Sequence, residues 1–414
     1  MNRLLSLTLL LACAALASAA DWPQWLGPKR DGATPEKVEP WKEAPKALWR
    51  QRVGPGFSVP AIAAGRVFVH ARVKGKEAEE VVAFDAKTGK ELWRDAYDRA
   101  PYRSVINTGP QASPTVAGGR VYTFGITGVL SCYQADNGKC LWQVDAFKKL
   151  KATLPRFGVC CSPLVVGNRV IVSVGGKGSS VAAFDTASGE VAWQALDEAA
   201  GSASPVLFAT PGKGRTVPDV VFMTTLRLVA LNPLDGSVSW EYPLTFSRSG
   251  TAPTPLVAGD RIVTSTQTNG TVSVRVTVAD DKVEAKKDWQ SKDLAAYFST
   301  GTSDGKGHLF LITNVVEPLP KANLVCLELA TGKELWKQEG VGYFHAGLLR
   351  TGNGKLVLLD DSGNLKLLEA DPKGYRELTK AAKVCGGTFT NPALAGGLLY
   401  VRDDKEVISL KLSE

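Results

Sequence analysis

Three arginines, Arg103, Arg156 and Arg248, stand in stretches rich in Gly, Ser and Thr between apolar runs. Asn107, Gln111, Tyr297, Tyr343 and His345 occupy similar stretches. Guanidinium groups present forked N–H donors, so such a set, if brought together, would hold a carboxylate, a phosphate or an acidic peptide segment. Cysteines offer a second chemistry. Cys132 and Cys140 lie symmetrically about Asp136, as a cross-strand disulfide in a hairpin would. Cys160 and Cys161 are adjacent, and neighbouring Cα atoms lie only about 3.8 Å apart, so these two could join only as a strained vicinal disulfide. Other chemistries lack their residues. His70, His308 and His345 are the only histidines, and none is close in sequence to another or to a cysteine pair, so no zinc spacing arises. There is no Gly-rich phosphate loop, G-x-S-x-G elbow or EF-hand loop. Asp360-Asp361-Ser362-Gly363-Asn364 is oxygen-rich, but a solvated β-turn explains it.

Whether the candidate residues converge depends on the elements between them. Residues 81–93, VVAFDAKTGKELW, pair a β-forming apolar run with a turn at Lys87-Thr88-Gly89-Lys90 and a second strand ending on Trp93. The same hairpin recurs, ending on Trp142, Trp193, Trp240 and Trp336. Each copy has a Gly four residues before its Trp (Gly89, Gly138, Gly189, Gly236, Gly332) and a small residue ten before it (Ala83, Cys132, Ala183, Ala230, Cys326). Trp289 ends a variant in which a charged hairpin replaces the turn Gly, and Trp49 ends an orphan strand with no partners before it. A Trp at a fixed repeat position is expected to pack between repeats, against the next turn, rather than to touch a ligand.

The tryptophans at 49, 93, 142, 193, 240, 289 and 336 are 44 to 51 residues apart, a period that suits four antiparallel strands per unit. A seventh unit has Glu377-Leu378-Thr379 where the Trp should be, and only residues 378–383 hint at helix. An eighth stops one strand short, and the orphan strand at Trp49 completes it. Sharing a unit between the two ends removes the free sheet edges. The expectation is therefore an all-β, eight-bladed propeller over residues 46–414, or seven blades if the seventh unit is an insertion. Ligands of such rings bind near the axis, at the mouth formed by loops leading into the innermost strands, where the candidate arginines fall.

Arg3, an apolar run to Ala17 and the Ala17-Ser18-Ala19 site read as a secretory leader over residues 1–20. A second reading makes Leu10-Leu11-Ala12-Cys13 a lipoprotein box with Cys13 acylated. Either way the chain is exported, periplasmic or secreted, and no later stretch suits a membrane span. Residues 21–45 lack periodicity and are expected to lie across the surface, anchored by Trp22, Trp25 and Trp41. The net charge of +8 over 414 residues is spread out, with no basic run or aromatic-interleaved motif, so nucleic acid is not expected as a partner. The chain is read as a monomer.

The motif A-x-D-x-x-T-G-x-x-x-W of residues 83–93 resembles the tryptophan-docking repeat of the pyrroloquinoline-quinone (PQQ) quinoprotein family, whose members include dehydrogenases. It also resembles their non-enzymatic relatives, such as the propeller lipoprotein of the outer-membrane β-barrel assembly machinery. The opening Asp21-Trp22-Pro23-Gln24-Trp25-Leu26-Gly27-Pro28 looks like the start of exported bacterial PQQ-like propellers. The resemblance implies the fold and leaves two functions open. One is a non-catalytic scaffold binding envelope proteins or peptides, or an anionic small molecule at the funnel. The other is a PQQ- and calcium-dependent dehydrogenase of alcohols or sugars; the arginines favour it, and family dehydrogenases carry a vicinal disulfide like the one Cys160-Cys161 could form. Against catalysis, the mouth loops hold hardly any Asp or Glu to match the family's calcium ligands and catalytic Asp. The expectation is the scaffold, with no catalytic residue, metal or cofactor.

Overall fold

The computed structural model describes residues 20–104, 107–212, 217–244, 253–280, 282–315 and 319–412. The leader expected over residues 1–20, Cys13 included, therefore lies outside the described residues except for Ala20, and so does Arg248.

Strand-forming sequence is used in sets of four. Eight four-stranded antiparallel sheets follow one another around a ring, seven of them with their strands in chain order. Blades 1 to 7 span residues 61–98, 115–145, 164–195, 206–243, 256–291, 302–342 and 346–381. Blade 8 takes its three inner strands from residues 393–411, and Lys46–Arg52 pairs antiparallel with Glu406–Lys411 as its outer strand. The protein is an eight-bladed β-propeller, closed by its two ends. The seventh unit is a full blade, and the stretch that hinted at helix forms its outer strand, Glu377–Ala381. Among the described residues the one α-helix is the five-residue Ala146–Leu150, capped by the Asp145 side chain.

The signature hairpin explains how blades adhere. Ala83 lies directly across from Trp93, Cys132 from Trp142, Ala183 from Trp193, Ala230 from Trp240 and Cys326 from Trp336, each beside a bulge. The small residue leaves room for the indole, which reaches the neighbouring blade. A Cβ on Gly138 would fall 2.5 Å from Trp93, and one on Gly89, Gly189, Gly236 or Gly332 would similarly strike Trp49, Trp142, Trp193 or Trp289. These glycines have φ between +71° and +76°, which favours Gly on conformational grounds as well. The indole N–H groups of Trp49, Trp93, Trp142, Trp193, Trp289 and Trp336 donate to the carbonyls of Ala86, Ala135, Thr186, Pro233, Leu329 and Asp371 at 2.8–3.0 Å. Each bond crosses to the next blade. Trp240 differs: its N–H donates to Thr210 of its own blade at 3.1 Å, because blade 5 replaces the Gly turn with the long hairpin of Gly270–Ala279 and Lys282–Ser291.

Blade 7 has Thr379 where the docking Trp would stand, opposite Leu367. Trp41 covers that gap. It is buried, its carbonyl accepts from the Thr379 hydroxyl at 3.0 Å, and its N–H donates to the Lys380 carbonyl at 3.4 Å.

The rest of the N-terminal segment does not lie across the surface as expected; it enters the ring. Trp22 exchanges two backbone hydrogen bonds with Ile62 of blade 1, and Val116 of blade 2 donates to the Pro23 carbonyl. Arg30 donates to Thr115, Ser162, Pro163 and Pro205, the starts of blades 2, 3 and 4. Trp25 donates to Thr254 of blade 5, and Thr302 of blade 6 donates to the Asp31 carbonyl. Gly32 and Thr34 pair with Arg350 of blade 7, and Glu36 accepts from Gly396 and Gly397 of blade 8. Residues 22–36 thus bond to all eight blades. The reason is local: Leu26, Gly27, Arg30 and Gly32 have positive φ, which coils the segment too tightly for a strand and small enough for the axis.

Candidate functional site

Within an antiparallel blade, the start of the first strand, the link between the second and third, and the end of the fourth share one end of the molecule. That end is the mouth. The Ser-Pro and Thr-Pro pairs leading into the innermost strands build its floor. The backbone N–H groups of Val59, Ser113 and Ser162 donate to the hydroxyls of Ser113, Ser162 and Ser204, each at 2.9 Å, and Thr254 donates likewise to Thr300. Each bond joins one blade to the next around the axis.

The two described candidate arginines, Arg103 and Arg156, have separate neighbours. Arg103 is exposed and pairs with Glu77, which also meets Arg72 at 3.4 Å and Arg99 at 3.2 Å. The hydrogen bond from Arg103 heads the causes that hold the Glu77 carboxyl below its usual range. Arg156 is exposed, with its guanidinium 5.4 Å from the Phe157 ring centroid. Asn107 is buried; its amide donates to Asp404 at 3.3 Å and its oxygen accepts from Gly109 at 2.6 Å. Gln111 donates to the Phe157 carbonyl at 2.7 Å and accepts from the Cys160 thiol at 3.3 Å. Tyr343 is exposed, and its N–H donates to Asp361 at 2.9 Å. The N–H of Tyr297 donates to Asn314 at 2.8 Å, and its ring meets Phe298 edge to face at 4.3 Å.

His345 is the candidate most enclosed. It is 3% exposed, its Nδ1 lies 2.8 Å from the Ser299 hydroxyl, and its ring stacks on Phe389 at 5.8 Å. Burial pushes its pKa down to about 4, so the imidazole is neutral at pH 7.

All six described cysteines are free thiols. The link expected between Cys132 and Cys140 is not formed, because the bulge after Cys132 puts Trp142 opposite it and Cys140 opposite Tyr133. Successive residues of a strand face opposite sides, so one thiol is buried and the other exposed. Cys160 and Cys161, expected as a possible vicinal disulfide, are likewise unjoined. Burial raises their pKa values to about 12 and about 11.

Sequence reasoning missed four features. Arg30 and Arg402 are 2% and 0% exposed, and Arg402 donates to the carbonyls of Gly54, Ser58 and His70. Burial lowers both guanidinium pKa values to about 10. Buried Glu79 accepts from Tyr97 at 2.7 Å, Arg99 at 3.1 Å and the Ile126 N–H at 3.1 Å, tying blade 1 to blade 2. Asp197, Glu198, Leu226 and Arg227 line a cleft of about 340 Å³ between blades 3 and 4 at the mouth end, in which Arg227 Nε donates to Glu198 at 2.5 Å and Leu226 is 52% exposed. The sole sequence signal was the apolar Leu226 in a two-residue turn.

Fold and site together define a closed eight-bladed propeller whose axis is filled by its own N-terminal segment. A family model described as outer membrane protein assembly factor BamB matches residues 40–109 and 77–338, and the chain belongs to that family. The assembly factor BamB of Yersinia pestis is 25% identical over 306 residues, 70% of this chain and 71% of that one. Among solved structures, BamB from Moraxella catarrhalis superposes with a TM-score of 0.62 at 16% identity, covering 89% of this chain and 99% of that one. A quinohemoprotein alcohol dehydrogenase from Comamonas testosteroni gives 0.69 at 15% identity, covering 95% and 80%. At such identities the structural likeness shows the fold alone. No helix among the described residues is long and apolar enough to cross a membrane.

Proposed function

We propose that the chain is a non-catalytic, exported propeller that binds protein partners in outer-membrane assembly. The observation that carries this reading is that the described candidate cations are not gathered on one site: Arg156 is exposed beside the Phe157 ring. Arg103 is paired with Glu77, and the buried Arg30 and Arg402 spend their donors on neighbouring side chains and backbone carbonyls. PQQ is a tricarboxylate quinone that needs cations at its rim and a metal on its quinone oxygens. Among the described residues no three His, Cys, Asp or Glu side chains group as metal ligands. The described residues do not fit PQQ with calcium. Family membership supports the assembly role, as does the cleft between blades 3 and 4, where exposed Leu226 beside the Arg227–Glu198 pair offers a partner apolar and polar contact. The chain is placed on the periplasmic side of the outer membrane, carried there by the leader or by a lipid on Cys13.

Loss of the chain from its own cell is expected to lower the amount of folded outer-membrane β-barrel protein, and Leu226→Glu to reproduce part of that loss. Normal barrel levels in both strains would overturn the reading. The second reading, a quinoprotein dehydrogenase, is favoured by the adjacent Cys160-Cys161 at the mouth. Stoichiometric binding of PQQ with calcium and dye-linked alcohol oxidation would establish it.

A further inference from the structure

The ladder of hydroxyls around the mouth is broken in one sector. Ser113, Ser162 and Ser204 each accept a backbone N–H from the preceding blade, but in blade 1 Val59 stands at that position, and the adjacent buried Ser58 hydroxyl has no hydrogen-bond partner. His345 Nε2 and Asn391 Nδ2 are also buried and unpartnered. These residues lead into blades 1, 7 and 8, which are consecutive around the ring. Folded proteins leave few buried polar atoms unpaired, and three in one sector call for a cause.

The same sector is walled by aromatic rings. The Phe389 centroid lies 5.3 Å from Phe57, 6.3 Å from Phe298 and 5.8 Å from His345, whose plane is tilted by 29°. All three phenylalanines are half-buried, so their remaining faces stay open at the mouth. The charges beside the wall are already engaged: the Asp361 carboxylate accepts the backbone N–H groups of Phe344 and His345. Arg402, the cation behind Ser58, donates to the Gly54, Ser58 and His70 carbonyls, and burial keeps His345 neutral.

We propose that this sector binds an uncharged phenolic ring, held among Phe57, Phe298 and Phe389 with its hydroxyl on His345 Nε2 and Asn391 Nδ2. A hydroxyl both donates and accepts, so it suits either tautomer of His345. If Nδ1–H donates to Ser299, Nε2 accepts the phenolic proton. If Ser299 donates to Nδ1, Nε2–H donates to the phenolic oxygen. An amide N–H of Asn391 donates to that oxygen in both cases. A carboxylate would find no cation there, and an unsubstituted phenyl ring would leave the buried nitrogens unpaired. The phenol is either a tyrosine side chain of a partner polypeptide or a free small molecule. The inference does not depend on the assembly role.

Calorimetric titration of the full chain with N-acetyl-tyrosinamide, N-acetyl-phenylalaninamide, p-cresol and p-hydroxybenzoate tests it. The tyrosine amide and p-cresol are expected to bind at least tenfold more tightly than the phenylalanine amide and the benzoate. A tyrosine amide tighter than p-cresol identifies a polypeptide source, and the reverse order identifies a small phenol. His345→Leu is expected to abolish the preference for the hydroxyl while keeping the melting temperature within a few degrees. If that variant does not fold, Phe57→Ser, at the open wall, is expected to weaken both phenols at least tenfold. No binding at millimolar concentration, equal binding of the tyrosine and phenylalanine amides, or phenol binding unchanged in the folded variants would overturn the proposal.

Discussion

Gly138 and Gly354 allow the docking of one blade on the next to be measured apart from backbone strain. Both have a φ of +75°. Placing a Cβ in that region costs about 1 kcal/mol at either position. The surroundings differ: a Cβ on Gly354 would meet nothing within 4 Å, whereas one on Gly138 would fall 2.5 Å from Trp93 Cδ2. Carbon atoms prefer about 3.5–4.0 Å, so the indole would have to retreat by about 1 Å. It cannot do so freely. Its N–H is bonded to Ala135 at 3.0 Å, and its rings pack on Phe68 at 5.9 Å and Tyr133 at 6.2 Å. Overpacking of this kind costs about 1–3 kcal/mol. Gly354→Ala is therefore expected to lower stability by about 1 kcal/mol and Gly138→Ala by about 2–4 kcal/mol. Urea unfolding with unchanged slope reads both. In a Trp93→Ala background the clash is gone, and Gly138→Ala should cost only about 1 kcal/mol, a coupling visible in the double-mutant cycle. Equal losses for the two glycines, or an undiminished cost without Trp93, would refute the docking role.

Trp41→Ala is expected to cost about 3–5 kcal/mol in urea unfolding, as for a buried aromatic, since it stands in for the missing blade 7 Trp. Arg30→Met leaves the Ser162, Pro163 and Pro205 carbonyls short of donors and should cost about 3 kcal/mol or more by the same assay. Burial holds the pKa of His345 at about 4, below its usual value of 6.5, so its contribution is present above pH 6.5 and is lost as pH falls toward 4. Wild type should lose about 2 kcal/mol between pH 7.5 and 5 that His345→Leu does not, measured by urea midpoints at both pH values. Ellman's reagent at pH 8 should modify Cys140, which is exposed, quickly and the five other described thiols only after denaturation.

The blades were legible because each is built by a local rule. The turn Gly, the small residue and the Trp recur at fixed offsets, and antiparallel register then places Ala83 across from Trp93. The ends were legible by subtraction, one strand missing and one spare. What escaped was set by contacts remote in sequence. Arg103 read as a free cation because Glu77 is 26 residues away, in the link between two strands of the preceding blade. The pairing of Cys132 with Cys140 followed from symmetry about the turn, but the bulge that seats the Trp shifts the register by one and turns the thiols apart. Residues 22–36 carry no periodicity because successive parts of the segment bond to different blades.

That segment also determines where function can reside. A ring of eight blades encloses an axis open at two ends unless something fills one of them. Here Asp21 accepts from Ala64 and Glu36 from Gly396 and Gly397, all in turns at the end opposite the mouth. The segment therefore starts and finishes at that end and reaches inward as far as Arg30, whose donors meet the carbonyls just before the innermost strands. Among the described residues this segment covers the end of the axis opposite the mouth, so the mouth is the side from which a ligand meets the axis. Asp21 therefore lies at the face opposite the one that carries the mouth and the Leu226 cleft.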